Sequence, residues 1–470
     1  MKEDEGTSEL IEFFEYQYGI GKKINKEKSE DCLSKSLEKN NQLSIATSHF
    51  LGKLGRGLNH KLSLEILLDQ VEKDKERKKK ETGYAFYMLA KIYLKEKNID
   101  KTIEKDLKKA KEYIEISVEM QNAIGIYTLA NLYSIGMEGI KIDFEKANKL
   151  YAQAIDLGSS HAINMLAISY LRGKGVRTNK KKAVELFLKA SEFDNPLAMF
   201  NLARLYMGGD GVEKDMQKAI ELLGKASELG EDKSMFTLGL IYEKGLSVRR
   251  DYQKSIKFYE KASLHNNFKA MNNLALLYQR RKELQGDMKK CFALLEKAAE
   301  NGDVKALNNL AMLYKKGVGV EKDHQKSIQY FEKSSQLGNH KASFNLARIY
   351  EKGNGVPVDI EKALSLYEKS AEGGSEKSMN SLALLYTRGK HVEKDPQKVL
   401  LYLEKAIELG SGLAHYNLAL LYLKGNILPK DLVKSLLYFE KSVELSNDKA
   451  MNHLGLIYKK GFFFFFEISF

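Results

Sequence analysis

The sequence contains few residues that break helices or cross-link a chain. Its 470 residues include only four prolines and two cysteines, and they include no tryptophan. Proline is the strongest helix breaker, so its scarcity favours a largely helical protein. Cys32 and Cys291 lie too far apart to form a disulfide framework, which indicates a reducing compartment.

Targeting and membrane-spanning patterns are missing as well. The amino terminus, MKEDEGTSEL, is acidic and lacks the apolar core of a signal peptide. No segment contains the roughly 18 apolar residues that a bilayer-spanning helix needs. Hydrophobic residues make up 43% of the chain and charged residues 30%, which is typical of a folded protein. We therefore expect a cytoplasmic protein. A nuclear location is kept as the alternative, because the sequence contains no recognisable targeting signal.

A period of 36 residues runs through most of the chain. Tyrosines recur at this step, at Tyr170, Tyr206, Tyr242, Tyr278, Tyr314, Tyr350, Tyr386, Tyr422 and Tyr458. Nine residues after most of them stands an aspartate, and three residues later a lysine, as in Asp323 and Lys326. Such a period is typical of stacked helical repeats, because one helix hairpin cannot bury its apolar face alone.

Each repeat predicts two helices. Apolar and small residues stand seven, four, three and one positions before the tyrosine. On a helical wheel they fall on the same side of the helix as the tyrosine. The glycine three residues after the tyrosine is expected to end the first helix, and the aspartate to cap the second. The glycine-rich loop between them, as in KKGVGVEKD (315–323), lacks the preceding strand that a phosphate-binding loop needs. The predicted fold is all-α, a right-handed α/α superhelix of about ten two-helix repeats.

These residues carry a resemblance to a known family. The pattern A-x-x-N-L-A-x-L-Y-x-x-G-x-G-V-x-x-D-x-x-K-A, followed by E-K-A-x-x-x-G, closely resembles the Sel1-like repeat, a relative of the tetratricopeptide repeat. Alanine often replaces the family's glycine before the tyrosine, and the unit at 278–291 lacks both loop glycines. The resemblance implies a scaffold or adaptor that gathers protein partners. The family motif carries no catalytic residue, so none is transferred.

The two ends depart from the consensus. The sequence predicts a divergent N-terminal helical region at 1–45, a degenerate repeat and charged linker at 46–83, the repeat solenoid at 84–461, and an apolar tail at 462–470. The charged stretch EKDKERKKKE (72–81) mixes both signs, which favours a solvated helix or linker over a nuclear signal. The tail FFFFFEISF is interpreted either as an apolar anchor or as a truncated or mis-joined end, and the second interpretation is favoured.

A second apolar row runs along the face of the first helix opposite its core stripe. Two residues before each tyrosine stand Ile168, Arg204, Leu240, Leu276, Met312, Arg348, Leu384 and Leu420. Asparagines flank this row at minus five, at Asn201, Asn273, Asn309, Asn345 and Asn417, and at minus six, at Asn164, Asn272, Asn308 and Asn380. A basic row two residues after the tyrosine includes Arg280, Lys316, Lys352 and Arg388.

The first helices of such hairpins should line a concave groove. Its apolar floor, amide side chains and basic rim would suit acidic or amphipathic segments of other proteins. For any single residue a structural role is favoured instead. The apolar row would pack between neighbouring helices, the asparagines would bond across repeats, and the basic row would complement helix dipoles. For the groove as a whole, partner binding is favoured.

The predicted function is a non-catalytic scaffold or adaptor for protein–protein interaction. The alternative is the repeat region of a truncated or larger enzyme-linked protein with a regulatory or activating role. The nine histidines share no slot between repeats, so we predict no metal site, and we predict no cofactor. The net charge of +13 raises the question of nucleic acid, but the repeat lysines spread over the outer face beside glutamates. Specific nucleic-acid binding is therefore not predicted. The oligomeric state is not indicated.

Overall fold

The computed structural model of the protein describes residues 6–52, 59–74, 80–94, 105–280, 288–390 and 392–467. These residues form 25 α-helices, and the β-type pairing among them is confined to two isolated bridges. The chain divides into two compact units, residues 1–265 and 266–470. The segments 75–79 and 281–287, which belong to the predicted charged linker and to the repeat without loop glycines, lie outside the described residues.

The first unit contains fourteen helices and the second eleven. The helices of the first unit are α1 (Thr7–Tyr18), α2 (Lys26–Glu38), α3 (Gln42–Leu51), α4 (His60–Lys73), α5 (Lys80–Leu94), α6 (Leu107–Glu119), α7 (Ala123–Ile135), α8 (Phe144–Asp156), α9 (Ser160–Arg172), α10 (Lys180–Glu192), α11 (Pro196–Gly208), α12 (Met216–Glu228), α13 (Asp232–Lys244) and α14 (Tyr252–Leu264). Those of the second are α15 (Phe268–Arg280), α16 (Met288–Glu300), α17 (Val304–Lys316), α18 (His324–Gln336), α19 (His340–Lys352), α20 (Ile360–Glu372), α21 (Glu376–Arg388), α22 (Pro396–Glu408), α23 (Gly412–Lys424), α24 (Leu432–Glu444) and α25 (Asp448–Glu467).

The helices pack as consecutive pairs. Within each unit, an odd-numbered helix packs against the even-numbered helix that follows, and each pair packs against the next. This arrangement confirms the predicted all-α solenoid of helix hairpins. A large side chain of the second helix is fully buried in many pairs, at Phe187, Tyr259, Phe331, Tyr367 and Phe439. Burial of each such ring removes about 150–250 Å² from water, which makes these rings a main source of stability.

In most of the described pairs, three repeated contacts hold the loop between the two helices. In the pair α17–α18, the Asp323 backbone N–H donates to the Tyr314 carbonyl at 3.0 Å. This bond joins the repeated tyrosine to the aspartate that follows it by nine residues. Asp323 Oδ1 accepts the Lys326 backbone N–H at 2.9 Å, as predicted for a helix cap. The Lys326 ammonium lies 5.3 Å from the centre of the Tyr314 ring, a cation–π contact. The same lysine-on-tyrosine contact recurs at Lys182, Lys218, Lys254, Lys362, Lys398 and Lys434.

The loop glycines act as the sequence predicted. Gly317 ends α17 with φ +67°, and its N–H donates to the Leu313 carbonyl at 2.9 Å. A positive φ of this size strains most other residues, which explains the glycine in this slot. The second loop glycine also meets the preceding repeat, since a Cβ on Gly175 would lie 2.5 Å from the carbonyl carbon of Phe144.

Two further features are Cys291 and the tail. Cys291 is fully buried in the slot that small residues occupy elsewhere, and burial raises the pKa of its thiol to about 11. Cys291 therefore acts as a packed core residue. Helix α25 continues through Gly461 to Glu467, so no separate second helix begins at the phenylalanines. Residues 468–470 lie outside the described residues, and neither interpretation of the tail is tested.

Candidate functional site

The first helices of successive pairs form one face of each unit, which we call the first-helix face. Direct contacts between α5 and α7, and between α21 and α23, show that these helices lie side by side. The apolar row reaches this surface most clearly at Leu384. Leu384 is 39% exposed, whereas Leu382, two residues earlier on the same helix, is fully buried.

The rest of the row shows the same intermediate character. Arg204 and Arg348 are exposed, and the aliphatic members are half-buried, namely Ile168, Leu240, Leu276, Met312 and Leu420. Met312 also packs against the core cluster of the second unit, as the structural interpretation of this row predicts. The row therefore belongs partly to the interface between neighbouring helices and partly to the surface.

A small cavity of about 110 Å³ opens between α21 and α23 in the second unit. Leu384 and Leu420 of the apolar row line it, together with Asn417 and Lys424. Thus an apolar, an amide and a basic position of the first helices converge on one depression. Such a mixture suits a partner side chain with an apolar body and polar flanks.

The asparagines bond from one repeat to the next. Asn309 Nδ2 donates to Asn272 Oδ1 at 2.7 Å, and Asn345 Nδ2 donates to Asn308 Oδ1 at 3.3 Å. The same bond, between residues 37 apart, joins Asn201 to Asn164 at 3.0 Å and Asn417 to Asn380 at 2.9 Å. The cross-repeat bond considered from sequence is confirmed at these four asparagines of the minus-five position. Asn273, which has Phe236 at the corresponding place in the preceding repeat, instead accepts from Asn272 Nδ2 at 3.3 Å.

The basic row lies fully at the surface. Arg280, Lys316, Lys352 and Arg388 are all exposed at the carboxyl ends of their helices. Positive charge at a helix C-terminus is favourable by about 0.3–1 kcal/mol because it faces the negative end of the helix dipole. Within the described residues, no carboxylate lies at ion-pair distance from Lys316, Lys352 or Arg388.

In the first unit, the N-terminal helix pair occupies part of the surface near the first helices. The Ser160 N–H donates to the Gly19 carbonyl at 3.1 Å, the Gly21 N–H to the Gly158 carbonyl at 3.0 Å, and the Ile24 N–H to the Phe193 carbonyl at 2.9 Å. The α1–α2 loop thereby crosses the turns before α9 and α11. Sequence analysis did not predict this contact, which joins residues more than one hundred positions apart.

Side chains strengthen the same contact. The Tyr87 hydroxyl donates to the Tyr18 hydroxyl at 3.3 Å, and His161 Nδ1 lies 2.9 Å from the Tyr18 carbonyl oxygen. A carbonyl accepts, so Nδ1 carries the proton of a neutral imidazole. Burial lowers the pKa of His161 below its usual value, and the bond to Tyr18 opposes that shift. His161 is therefore a packed structural residue.

The described residues contain neither a metal-binding cluster nor a membrane-spanning helix. No three His, Cys, Asp or Glu side chains there gather in a way that could hold a metal ion. None of the described helices combines the length and the apolar character that crossing a bilayer requires.

Comparison with known proteins adds a family and a fold. The family model described as Sel1 repeat matches residues 14–41, 84–122, 123–159, 160–192, 196–231, 232–267, 268–303, 304–339, 340–375, 377–411 and 412–447. Its first match lies in the region that sequence analysis described as divergent. No curated protein sequence matches the chain.

A solved structure of another protein shares this fold. The chain is 28% identical to c5321, a protective antigen of uropathogenic Escherichia coli strains that displays an SLR fold, with a TM-score of 0.59. The match covers 85% of this chain and 83% of that one. A Sel1 repeat protein from Oxalobacter formigenes is 26% identical, with a TM-score of 0.40, over 60% of this chain and 99% of its own.

Proposed function

This chain belongs to the Sel1 repeat family, and on that premise we propose that it is a non-catalytic scaffold or adaptor that binds partner proteins. The proposed contact surface is the first-helix face, where the apolar row, the amides and the basic row occur together. The proposed partners present acidic or amphipathic segments in the cytoplasm. Helical repeats suit this role because they offer an extended surface with little need to rearrange.

The cavity between α21 and α23 is the observation that supports the proposal best. A residue needed only for packing should be covered by its neighbours, yet Leu384 keeps 39% of its surface exposed beside a cavity. Exposed leucine next to a depression with polar flanks is a common feature of protein-binding surfaces. The Asn417 amide and the Lys424 ammonium flank the cavity, and the ammonium donates hydrogen bonds that orient the partner segment.

The test compares two exposed leucines on different faces. Leu384→Ser removes an apolar group from the first-helix face, whereas Leu401→Ser does the same on the second helix α22, where Leu401 is 45% exposed. We expect Leu384→Ser to weaken binding of captured partners about tenfold, because burying a leucine is worth roughly 1.5–3 kcal/mol. Leu401→Ser should leave the capture unchanged.

Circular dichroism and thermal melting distinguish the two interpretations of this row. A Leu384→Ser variant that folds normally and loses partners supports the proposal. If the variant unfolds, the row is core; if it folds and binds as before, the first-helix face is not the contact surface.

A further inference from the structure

We propose that Lys315, Arg348 and Lys352 form an anion-binding subsite on the first-helix face of the second unit, which takes the carboxylates of an acidic peptide segment. This inference rests on the proposed function, because the segment would belong to a partner protein. It narrows the partner from any segment that fits the face to one with adjacent negative charges.

The register between neighbouring first helices brings these cations together. The asparagine bonds between α15 and α17, between α17 and α19, and between α21 and α23 all join residues 37 apart. Lys352 lies 37 residues after Lys315, so the Asn345–Asn308 bond places the two lysines at the same level on adjacent helices. Arg348 precedes Lys352 by one helical turn and therefore lies on the same side of α19.

The other helix steps of the second unit do not pair cations in this way. The same register places Lys316 beside Gln279, Arg388 beside Glu351 and Lys424 beside Thr387. The positions compared are one and two residues after the repeated tyrosine. Among the described residues of the second unit, only the step from α17 to α19 places a lysine at one of these positions beside a lysine at the other. The repeat framework does not require this, since the remaining repeats do without it.

The electrostatic state of Lys315 agrees with this arrangement. Burial lowers the pKa of Lys315, and the charges of Arg348, Lys352 and Lys316 lower it further. A cluster in which cations are partly desolvated and repel one another gains most from a bound anion. A segment with two neighbouring carboxylates would neutralise the cluster and accept several charge-assisted hydrogen bonds.

The carboxylate nearest to Arg348 in the sequence of α19 is bound to another group. Glu351 follows Arg348 by three residues, but its Oε2 accepts the Tyr367 hydroxyl at 2.6 Å, and it lies beyond ion-pair distance of Arg348. The Arg348 guanidinium lies 5.8 Å from the Phe344 ring, a cation–π contact that limits its motion but does not neutralise its charge.

The probe for this subsite is a fluorescein-labelled peptide with four consecutive glutamates, and its control is the same peptide with glutamines. Fluorescence anisotropy with the full chain at physiological salt should show binding of the first peptide and at least tenfold weaker binding of the second. Arg348→Ala and Lys352→Ala should each weaken binding about fivefold, the upper range for exposed ion pairs. Lys369→Ala, which removes an exposed lysine from the second helix α20, should change it less than twofold.

Each outcome decides for or against the subsite. Both side chains are exposed, so their removal should leave the melting temperature nearly unchanged, and the loss of binding can be assigned to charge. Equal losses in Lys352→Ala and Lys369→Ala would mean general attraction to a basic protein and would overturn the subsite. Binding only of a peptide with phosphoserine, or displacement by single-stranded RNA at equal concentration, would overturn the acidic segment as its ligand.

The anion-binding subsite can be disproved while the scaffold function is upheld. If Leu384→Ser loses partners from cells while Arg348→Ala and Lys352→Ala keep them, the scaffold role stands and the anionic specificity is wrong. If all three variants keep their partners, both proposals are wrong.

Discussion

The bond between Asn309 and Asn272 offers a test of how neighbouring repeats are joined. Asn272 is almost fully buried, with 3% of its surface exposed, whereas Asn309 is half-buried at the first-helix face. We consider Asn309→Ala, Asn272→Ala and the double variant. Asn354→Ala, at an exposed loop position, serves as the control.

The asymmetry in burial sets the expected magnitudes. Asn309→Ala removes the donor at 2.7 Å and leaves the buried Asn272 oxygen without it, which should cost about 1–3 kcal/mol of unfolding free energy. Asn272→Ala leaves a half-buried amide that water can reach, so the loss should be smaller, about 0.5–1.5 kcal/mol. The double variant should lose about 1 kcal/mol less than the sum of the single variants, because both remove the same bond.

Urea denaturation, followed by circular dichroism and by tyrosine fluorescence, measures these free energies. The two probes must agree, because repeat proteins can unfold in parts. Additive losses, with a coupling near zero, would refute the bond as a link between repeats. If Asn354→Ala lowered the unfolding free energy by more than 0.5 kcal/mol, the assay would not isolate the contribution of the Asn309–Asn272 bond.

Three further predictions concern the loops and the N-terminal contact. Asp323→Ala should lower the unfolding free energy by about 0.5–2 kcal/mol through loss of a helix cap, measured by urea denaturation; no loss would contradict the capping role. Gly175→Ala should lower the melting temperature by several degrees, because its φ is +65° and the new Cβ would press on Phe144; an unchanged melting curve would refute the close approach. Because burial lowers the pKa of His161, docking of the α1–α2 loop should be complete above pH ~6.5 and should weaken as the pH falls further. Faster hydrogen exchange at the Gly21 amide in acid would report this weakening. If His161→Asn showed the same acid response, protonation of His161 would not be its cause.

The repeat fold was largely predictable because its signals are local. The helix stops, such as Gly317, and the caps, such as Asp323, depend on residues a few positions apart, and the 36-residue period repeats them. The lysine three residues after each cap was recognised as a fixed position, but its contact with the tyrosine ring needs the three-dimensional path of the loop. That contact explains a regularity that the sequence alone left without a cause.

The contact between the α1–α2 loop and the turns before α9 and α11 had no such local signal. Its main-chain bonds involve Gly19, Gly21 and Ile24, whose partners lie more than one hundred residues further along the chain. Backbone bonds of this kind place little constraint on side-chain identity. Superhelical geometry brings these segments together, and it accumulates over several repeats from small rotations.

The candidate site was predictable in its positions but not in its detail. Periodicity placed the apolar row and the basic row on the first helix, and their exposure agrees with a surface location. Periodicity alone did not indicate that Leu384 and Leu420 border a cavity, or that Lys315 and Lys352 share a level on neighbouring helices. Both features depend on the 37-residue register between helices, which the asparagine bonds reveal.

Photo-crosslinking in cells tests the central claim most directly. A photoreactive amino acid replaces Leu384 on the first-helix face in one variant and Leu401 on the second helix in the other, two positions of similar exposure. The account predicts that discrete protein partners are trapped from position 384 and not from position 401. Equal trapping from both positions, or trapping from position 401 alone, would contradict binding at the first-helix face.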